Sequence, residues 1–227
     1  MGLPAELRPV ELLPGLIHYP GYLDGPARSR LAADLAARLV DAPPYRPRMP
    51  RTGRPFSVTM SNCGALGWVS DRSGYRYQAH HPETGKPWPA IPDLALRAWD
   101  DLSGYPALPE ACLVNLYDAD ARMGLHQDRD EAALDAPVLS LSLGASALFR
   151  YGGPNRSDPT RSVRLHAGDA LIMGGAARLI HHGIDRILPH APDLLDSAEP
   201  GPGFLPQDGR CNLTLRRVTR PGDAPTA

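Results

Sequence analysis

Leu31, Leu35 and Leu39 recur every fourth residue within PARSRLAADLAARLV, a spacing that sets them on one face of a helix. Alanines fill the positions between them and favour the same conformation, so the pattern predicts an amphipathic helix over 26–40. PDLALRAWDDLS predicts a second helix over 92–103, with Pro92 near its start and Gly104 at its end. Between the two, DAPPYRPRMPRTGRP at 41–55 holds five prolines and one glycine, which excludes regular structure. Its arginines, Arg46, Arg48, Arg51 and Arg54, read as a solvated linker in preference to a phosphate-contacting loop. From residue 111 the period shortens. ACLVNLYDAD, APVLSLSLGASALFRYGG, RSVRLHAGDALIMGG and CNLTLRRV are alternating or β-branched runs parted by Gly, Asp and Pro turns, the texture of short strands. Ala167-Gly168-Asp169 lies between two apolar runs and predicts a tight hairpin. The expected fold is mainly β with N-terminal helices, built on a double-sheeted jelly roll. The mouth of such a fold suits a site contributed by several strands.

Composition narrows the setting. A chain of 227 residues fits one globular domain with a sizeable core. The formal net charge of −1 gives no whole-protein attraction to nucleic acid or anionic lipid, so any phosphate-binding surface must be local. MGLPAELRPVELLPGL has neither the basic start nor the apolar run of a signal peptide, and no stretch reaches transmembrane length. Cys63, Cys112 and Cys211 are odd in number and widely spaced. They make neither a disulfide framework nor a zinc pair, and a cytoplasmic location is expected.

Two segments carry chemistry. In LHQDRDE at 125–131, His126 and Asp128 are two residues apart and would share one face of an extended strand. A further histidine downstream, from the adjacent pair His181 and His182, completes two imidazoles and one carboxylate; adjacent strand residues face opposite ways, so only one of the pair can join. Such a set fills one face of an octahedral ion and leaves the other positions open, as suits non-haem Fe(II). In RCNLTLR at 210–216, Arg210, Asn212, Thr214 and Arg216 alternate with Cys211, Leu213 and Leu215, giving one donor-rich face. Two guanidinium forks and an amide there suit a small dicarboxylate. Together these segments point to an Fe(II) dioxygenase that consumes 2-oxoglutarate and O₂. Two rivals are a 2-oxoglutarate-dependent hydroxylase of a protein or small molecule and, more remotely, a non-catalytic jelly-roll module holding structural zinc.

From Met60 to Arg216 the chain resembles the AlkB-type 2-oxoglutarate-dependent nucleic-acid demethylases. The motifs are MSNCGALGW at 60–68, SGYRY at 73–77, KPWPAIP at 86–92 and NLY at 115–117. They continue with LHQDRDE, SLSLG at 140–144, GG at 152–153, HGI at 182–184 and NLTLR at 212–216. The resemblance implies that His126, Asp128 and His182 bind the iron and that His181 points away. It implies that Asn115, Tyr117, Arg210 and Asn212 hold the distal carboxylate of 2-oxoglutarate, with Arg216 nearer its chelating end. It further implies a target such as 1-methyladenine or 3-methylcytosine, in single-stranded or locally melted DNA or in RNA, with no obligate protein partner. A cationic base calls for an aromatic face and a carboxylate. Trp68 and Asp130 are the expected pair, with Tyr75 and Arg156 toward the sugar–phosphate backbone. The implied layout is an N-terminal helical layer over 1–45, a nucleotide-recognition lid with its helix over 46–110, the jelly-roll core over 111–220 and a tail over 221–227. The segment 185–209 is longer and more Pro-rich than expected for the family and would border the site.

Overall fold

Asp24 opens the first helix, its carboxylate accepting a hydrogen bond from the Ala27 amide at 2.8 Å. That bond satisfies one of the donors which every helix start leaves without a partner. Helix α1 spans Gly25–Asp41 and buries Leu31, Leu35 and Leu39, the face their spacing predicts. Helix α2 spans Asp93–Leu102 and buries Trp99. The computed structural model describes residues 8–188, 204–205 and 208–222.

Along the chain the strands are β1 Val10–Leu13, β2 Leu16–Tyr19, β3 Thr59–Gly64, β4 Gly67–Asp71, β5 Gly74–Gln78, β6 Ala111–Tyr117 and β7 Met123–His126. They continue as β8 Val138–Gly144, β9 Ala147–Tyr151, β10 Arg161–Leu165, β11 Ala170–Met173, β12 His182–Ile187 and β13 Arg210–Arg216. A seven-stranded major sheet runs β1-β2-β11-β8-β13-β6-β3, a four-stranded minor sheet runs β10-β9-β12-β7, and β4-β5 stands apart as a hairpin. All the pairings are antiparallel. Val114, Leu139, Leu141, Leu213 and Leu215 join Leu31, Leu35 and Trp99 in the core between the major sheet and the helices. Leu113, Leu171 and Met173 of the major sheet meet Phe149, Tyr151 and Ile184 of the minor one in a second core. The alternation along β13 thus sends Cys211, Leu213 and Leu215 toward the helices and Arg210, Asn212, Thr214 and Arg216 into a cavity between the sheets. This is the jelly-roll architecture expected of the chain.

Three local expectations are revised. The segment expected as a helical layer also holds the hairpin β1–β2, which extends the major sheet by pairing β2 with β11; strands of four residues are too short to show a clear period. The span expected to form lid and helix also supplies β3, the edge strand of the major sheet beside β6. Ala167–Asp169 does not make a hairpin, because β10 and β11 belong to different sheets. Gly168 turns the chain between them at φ +91°, where a Cβ would lie 2.4 Å from the Leu23 carbonyl. Asp169 anchors that crossover, accepting from His18 Nε2, the Gly21 amide and the His166 amide, each at 2.8 Å. Of the Pro-rich segment 185–209, residues 189–203 and 206–207 lie outside those described, as do residues 1–7 and 223–227.

Candidate active site

His126 is the last residue of β7, and Asp128 lies beyond it in irregular chain, so the shared strand face expected for the two is replaced by a turn of the loop. His182 opens β12 directly opposite His126. Glycine at 183 permits that pairing: a Cβ there would lie 2.4 Å from the Met123 carbonyl and 2.8 Å from that of Gly124. One ligand atom from each of His126, Asp128 and His182 falls within 4.8 Å of the others. Asp128 Oδ1 is 3.6 Å from His126 Nε2, and Oδ2 is 3.7 Å from His182 Nε2. Nδ1 of His126 faces the Gly124 carbonyl at 2.9 Å and Nδ1 of His182 faces that of Ile180 at 3.2 Å. An Nδ1–H donated to each carbonyl leaves both Nε2 lone pairs aimed at one point.

The protonation states favour a cation. Burial, then the neighbouring His126, pushes the His182 imidazole down to about 4, against the opposing pull of Asp128. Burial opposes ionisation of Asp128, but Arg216, His182, His126 and Arg178 together outweigh it and hold the carboxyl well below its usual range. Two imidazoles and one carboxylate converge with no fourth His, Cys, Asp or Glu donor among the described residues. A closed structural zinc site would need that fourth donor, so the donor set fits an Fe(II) ion with open positions.

The floor of the cavity is polar. Antiparallel register sets Arg210 opposite Tyr117 and Asn212 opposite Asn115, so all four side chains line one cavity of about 470 Å³ with the triad. Arg210 is wholly buried; its Nη2 donates to Ser142 Oγ at 2.7 Å and its Nη1 to the Ala145 carbonyl at 3.2 Å. The Nδ2 of Asn212 donates to Ser140 Oγ at 2.6 Å. Tyr117 donates to Met123 Sδ at 3.8 Å. Arg216 Nη2 lies 2.8 Å from Asp128 Oδ2 as an ion pair, and its Nη1 donates to Tyr77 at 3.1 Å. The Nε–H groups of Arg210 and Arg216 and the side-chain oxygen of Asn115 are buried without a hydrogen-bond partner. Arg210 and Arg216 thus bring two guanidiniums, with Asn115 and Asn212, to the lining of one cavity, a donor set that fits a dicarboxylate such as 2-oxoglutarate.

The mouth is aromatic. Trp68 on β4 and Tyr75 on β5 stack with ring centroids 5.5 Å apart and planes 18° apart. Asn62 holds Trp68 from both sides of the backbone, accepting its amide at 3.0 Å and donating to its carbonyl at 3.1 Å. The indole N–H donates to Asp130 at 2.8 Å. Arg156 also lines the cavity, with Nη1 donating to the Leu125 carbonyl at 2.9 Å. His181, expected to point away, lines the wall as well. The linker 41–55 runs along this rim, since Met49 faces the cavity and the Arg48 amide donates to the Ser70 carbonyl at 3.1 Å. Several participants escaped the sequence reading. Tyr77 donates a hydrogen bond to Glu131 beside Arg216. Met49, Met60, Met123 and Met173 all line the cavity. Glu131 lay within the motif already singled out; the methionines carry no spacing signal.

The relatives agree with this geometry. Residues 15–216 match the family model described as the 2OG-Fe(II) oxygenase superfamily. A Caulobacter vibrioides protein named alpha-ketoglutarate-dependent dioxygenase AlkB homolog is 48% identical over 217 residues, 96% of this chain and 94% of its own. The alpha-ketoglutarate-dependent dioxygenase AlkB of Escherichia coli is 42% identical over 182 residues, 77% of this chain and 78% of its own. The solved structure of OsALKBH1 superposes with a TM-score of 0.75 at 31% identity, covering 92% of this chain and all of the other. Family and donor set agree on Fe(II), 2-oxoglutarate and O₂ as what this enzyme uses. The chain is a member of the 2OG-Fe(II) oxygenase superfamily and, within it, of the AlkB group of dioxygenases.

Proposed function

We propose that this enzyme removes N-methyl groups from bases of the 1-methyladenine and 3-methylcytosine kind in DNA, with RNA as the second candidate polymer. The observation that carries the reading is the union, at the mouth of one cavity with the triad, of a stacked Trp68–Tyr75 pair and the Asp130 carboxylate. An aromatic face beside a carboxylate favours a cationic base over its neutral parent. The names of relatives point the same way: the mouse protein matched over part of its length is a nucleic acid dioxygenase, and one from Arabidopsis thaliana is a DNA N(6)-methyladenine demethylase.

In this reading His126, Asp128 and His182 hold the iron, and Asn115, Tyr117, Arg210 and Asn212 take the distal carboxylate of 2-oxoglutarate. Arg216 keeps Asp128 ionised while pairing with it. When bound, iron and 2-oxoglutarate let O₂ oxidise the N-methyl carbon to hydroxymethyl, with succinate and CO₂ as co-products. The N-hydroxymethyl base then loses formaldehyde and the nitrogen regains its proton or lone pair. Trp68, backed by the stacked Tyr75, meets the base plane, which must leave its stack to enter, and Asp130 faces its cationic edge. The methionine wall tolerates variation in the alkyl group, since an unbranched thioether refills gaps readily. No helix among the described residues is long and apolar enough to cross a membrane; we propose a cytoplasmic enzyme acting on single-stranded or locally melted substrate.

Mass spectrometry of a single-stranded oligonucleotide carrying one 1-methyladenine, incubated with iron, 2-oxoglutarate and O₂, tests this. Loss of the methyl group is expected. An unchanged oligonucleotide alongside succinate production would move the activity to another class of substrate.

A further inference from the structure

Two side chains that are not ligands of the triad cross between the segments that carry it. Gln127, between His126 and Asp128, donates from Nε2 to the Leu179 carbonyl at 2.5 Å and to the Pro154 carbonyl at 3.1 Å. Arg178, four residues before His182, reaches back. Its Nη1 donates to the Asp128 carbonyl at 2.5 Å, its Nε to the Ala136 carbonyl at 2.8 Å, and its Nη2 to the Glu131 carboxylate at 3.0 Å. The exchange is reciprocal: residue 127 holds the main chain at 179, and residue 178 holds the main chain at 128.

The arrangement answers a need that the sheets leave unmet. His126 and His182 are set opposite one another by the β7–β12 ladder, but Asp128 lies past the end of β7 with no ladder of its own. A carbonyl in irregular chain still needs a donor once it is buried. Arg178 is only 4% exposed and supplies that donor at the ligand itself, while its other two contacts fix the chain on the far side of the loop. Glu131, paired with Arg178, also meets Tyr77 and Arg216, so the clamp is joined to the charged groups around Asp128. Gln127 completes the tie from the irregular chain just beyond β7.

We propose that Gln127 and Arg178 are positioning residues that hold Asp128 and His182 at metal-binding separation before the ion arrives. The proposal rests on the reading of His126, Asp128 and His182 as the metal site. Loss of either clamp lets the loop drift, so part of the binding energy goes into reordering it.

The test is the dissociation constant of metal-free protein for Co(II), measured without 2-oxoglutarate, together with the visible Co(II) spectrum and the melting temperature of the metal-free form. Five proteins are needed: wild type, Gln127→Leu, Arg178→Lys, the double variant of those two, and Asp128→Ala. Gln127 is half-buried at the rim, so Gln127→Leu retains the metal-free melting temperature of wild type and remains informative should Arg178→Lys fold poorly. Both clamp variants are expected to bind Co(II) about 10–100-fold more weakly and to change its absorption bands. The double variant should lose less than the product of the single losses, because one tether joins them. Wild-type affinity and spectrum in Gln127→Leu and Arg178→Lys, with binding lost in Asp128→Ala, would overturn the clamp and leave the metal site standing. Wild-type affinity in Asp128→Ala would overturn the metal-site reading and the clamp with it.

Discussion

Arg210 is wholly buried on a central strand of the major sheet, whereas Tyr75 is 52% exposed on a two-stranded hairpin that belongs to neither large sheet. The two ends of one cavity are therefore held in different ways. On the floor, β13 has full-length partners on both sides, β6 and β8, and each polar side chain that faces inward is fixed by register. At the lid, Trp68 depends on one asparagine, one stacked tyrosine and one carboxylate. The hairpin pairs with neither large sheet, so side-chain and loop contacts set its place where a ladder sets that of the floor. In the proposed reading this is a division of labour: the co-substrate, which never varies, meets the large sheet, and the base meets the small hairpin.

Substitutions at the two ends should separate these roles. The largest effect is expected at the triad itself. Asp128→Ala should abolish 2-oxoglutarate turnover, a loss exceeding the roughly 10–100-fold cost of removing an outer partner of a ligand, with the circular dichroism spectrum retained. Next comes the floor. Arg210→Met should raise the KM for 2-oxoglutarate at least about thirtyfold, from the roughly 2 kcal/mol or more lost when one partner of a buried charged contact is removed; steady-state succinate assays would show it. The lid should respond in the other variable. Trp68→Ala should lower kcat/KM for a methylated oligonucleotide about 5–150-fold, as expected for about 1–3 kcal/mol of base stacking, and leave the KM for 2-oxoglutarate unchanged. A shift in both constants would break the division between floor and lid.

The smallest effect concerns stability. Burial works against ionisation of Asp169, but His18 and the His166 and Gly21 amides outweigh it and lower its pKa. A carboxyl held below its unfolded value contributes stability that is complete above about pH 4 and fades as the pH falls through the folded value. Asp169→Asn should therefore cost about 1–3 kcal/mol at neutral pH, and the difference from wild type should shrink in acid. Thermal melts at pH 7 and pH 3 would reveal that convergence.

The floor was legible in the chain because it is periodic. Alternation along RCNLTLR, the fourfold leucine spacing of α1 and the composition of 111–117 each state a face before any partner is known. The metal set was legible as residue types and order, although the sequence suggested a strand where Asp128 occupies a loop. What stayed hidden was pairing at a distance. Nothing local tells Gln127 from a solvated glutamine, or Arg178 from a surface arginine, until the chain brings residues 127 and 179 together. The crossover at Gly168 was misread for a similar reason, since a tight turn looks the same whether the next strand returns to its own sheet or passes to the other. The lid lies between: Trp68, Tyr75 and Asp130 became meaningful through resemblance, and their contact with one another only through the fold.

In the proposed reaction, oxidation of 2-oxoglutarate on the floor is spent on a methylated base held by the lid. Formaldehyde and succinate measured together, for wild type and Trp68→Ala on the same 1-methyladenine oligonucleotide, test it most directly. One formaldehyde per succinate is expected in wild type and a lower ratio in Trp68→Ala, where succinate continues without demethylation. Succinate formation by wild type that neither rises with the methylated oligonucleotide nor releases formaldehyde would contradict it.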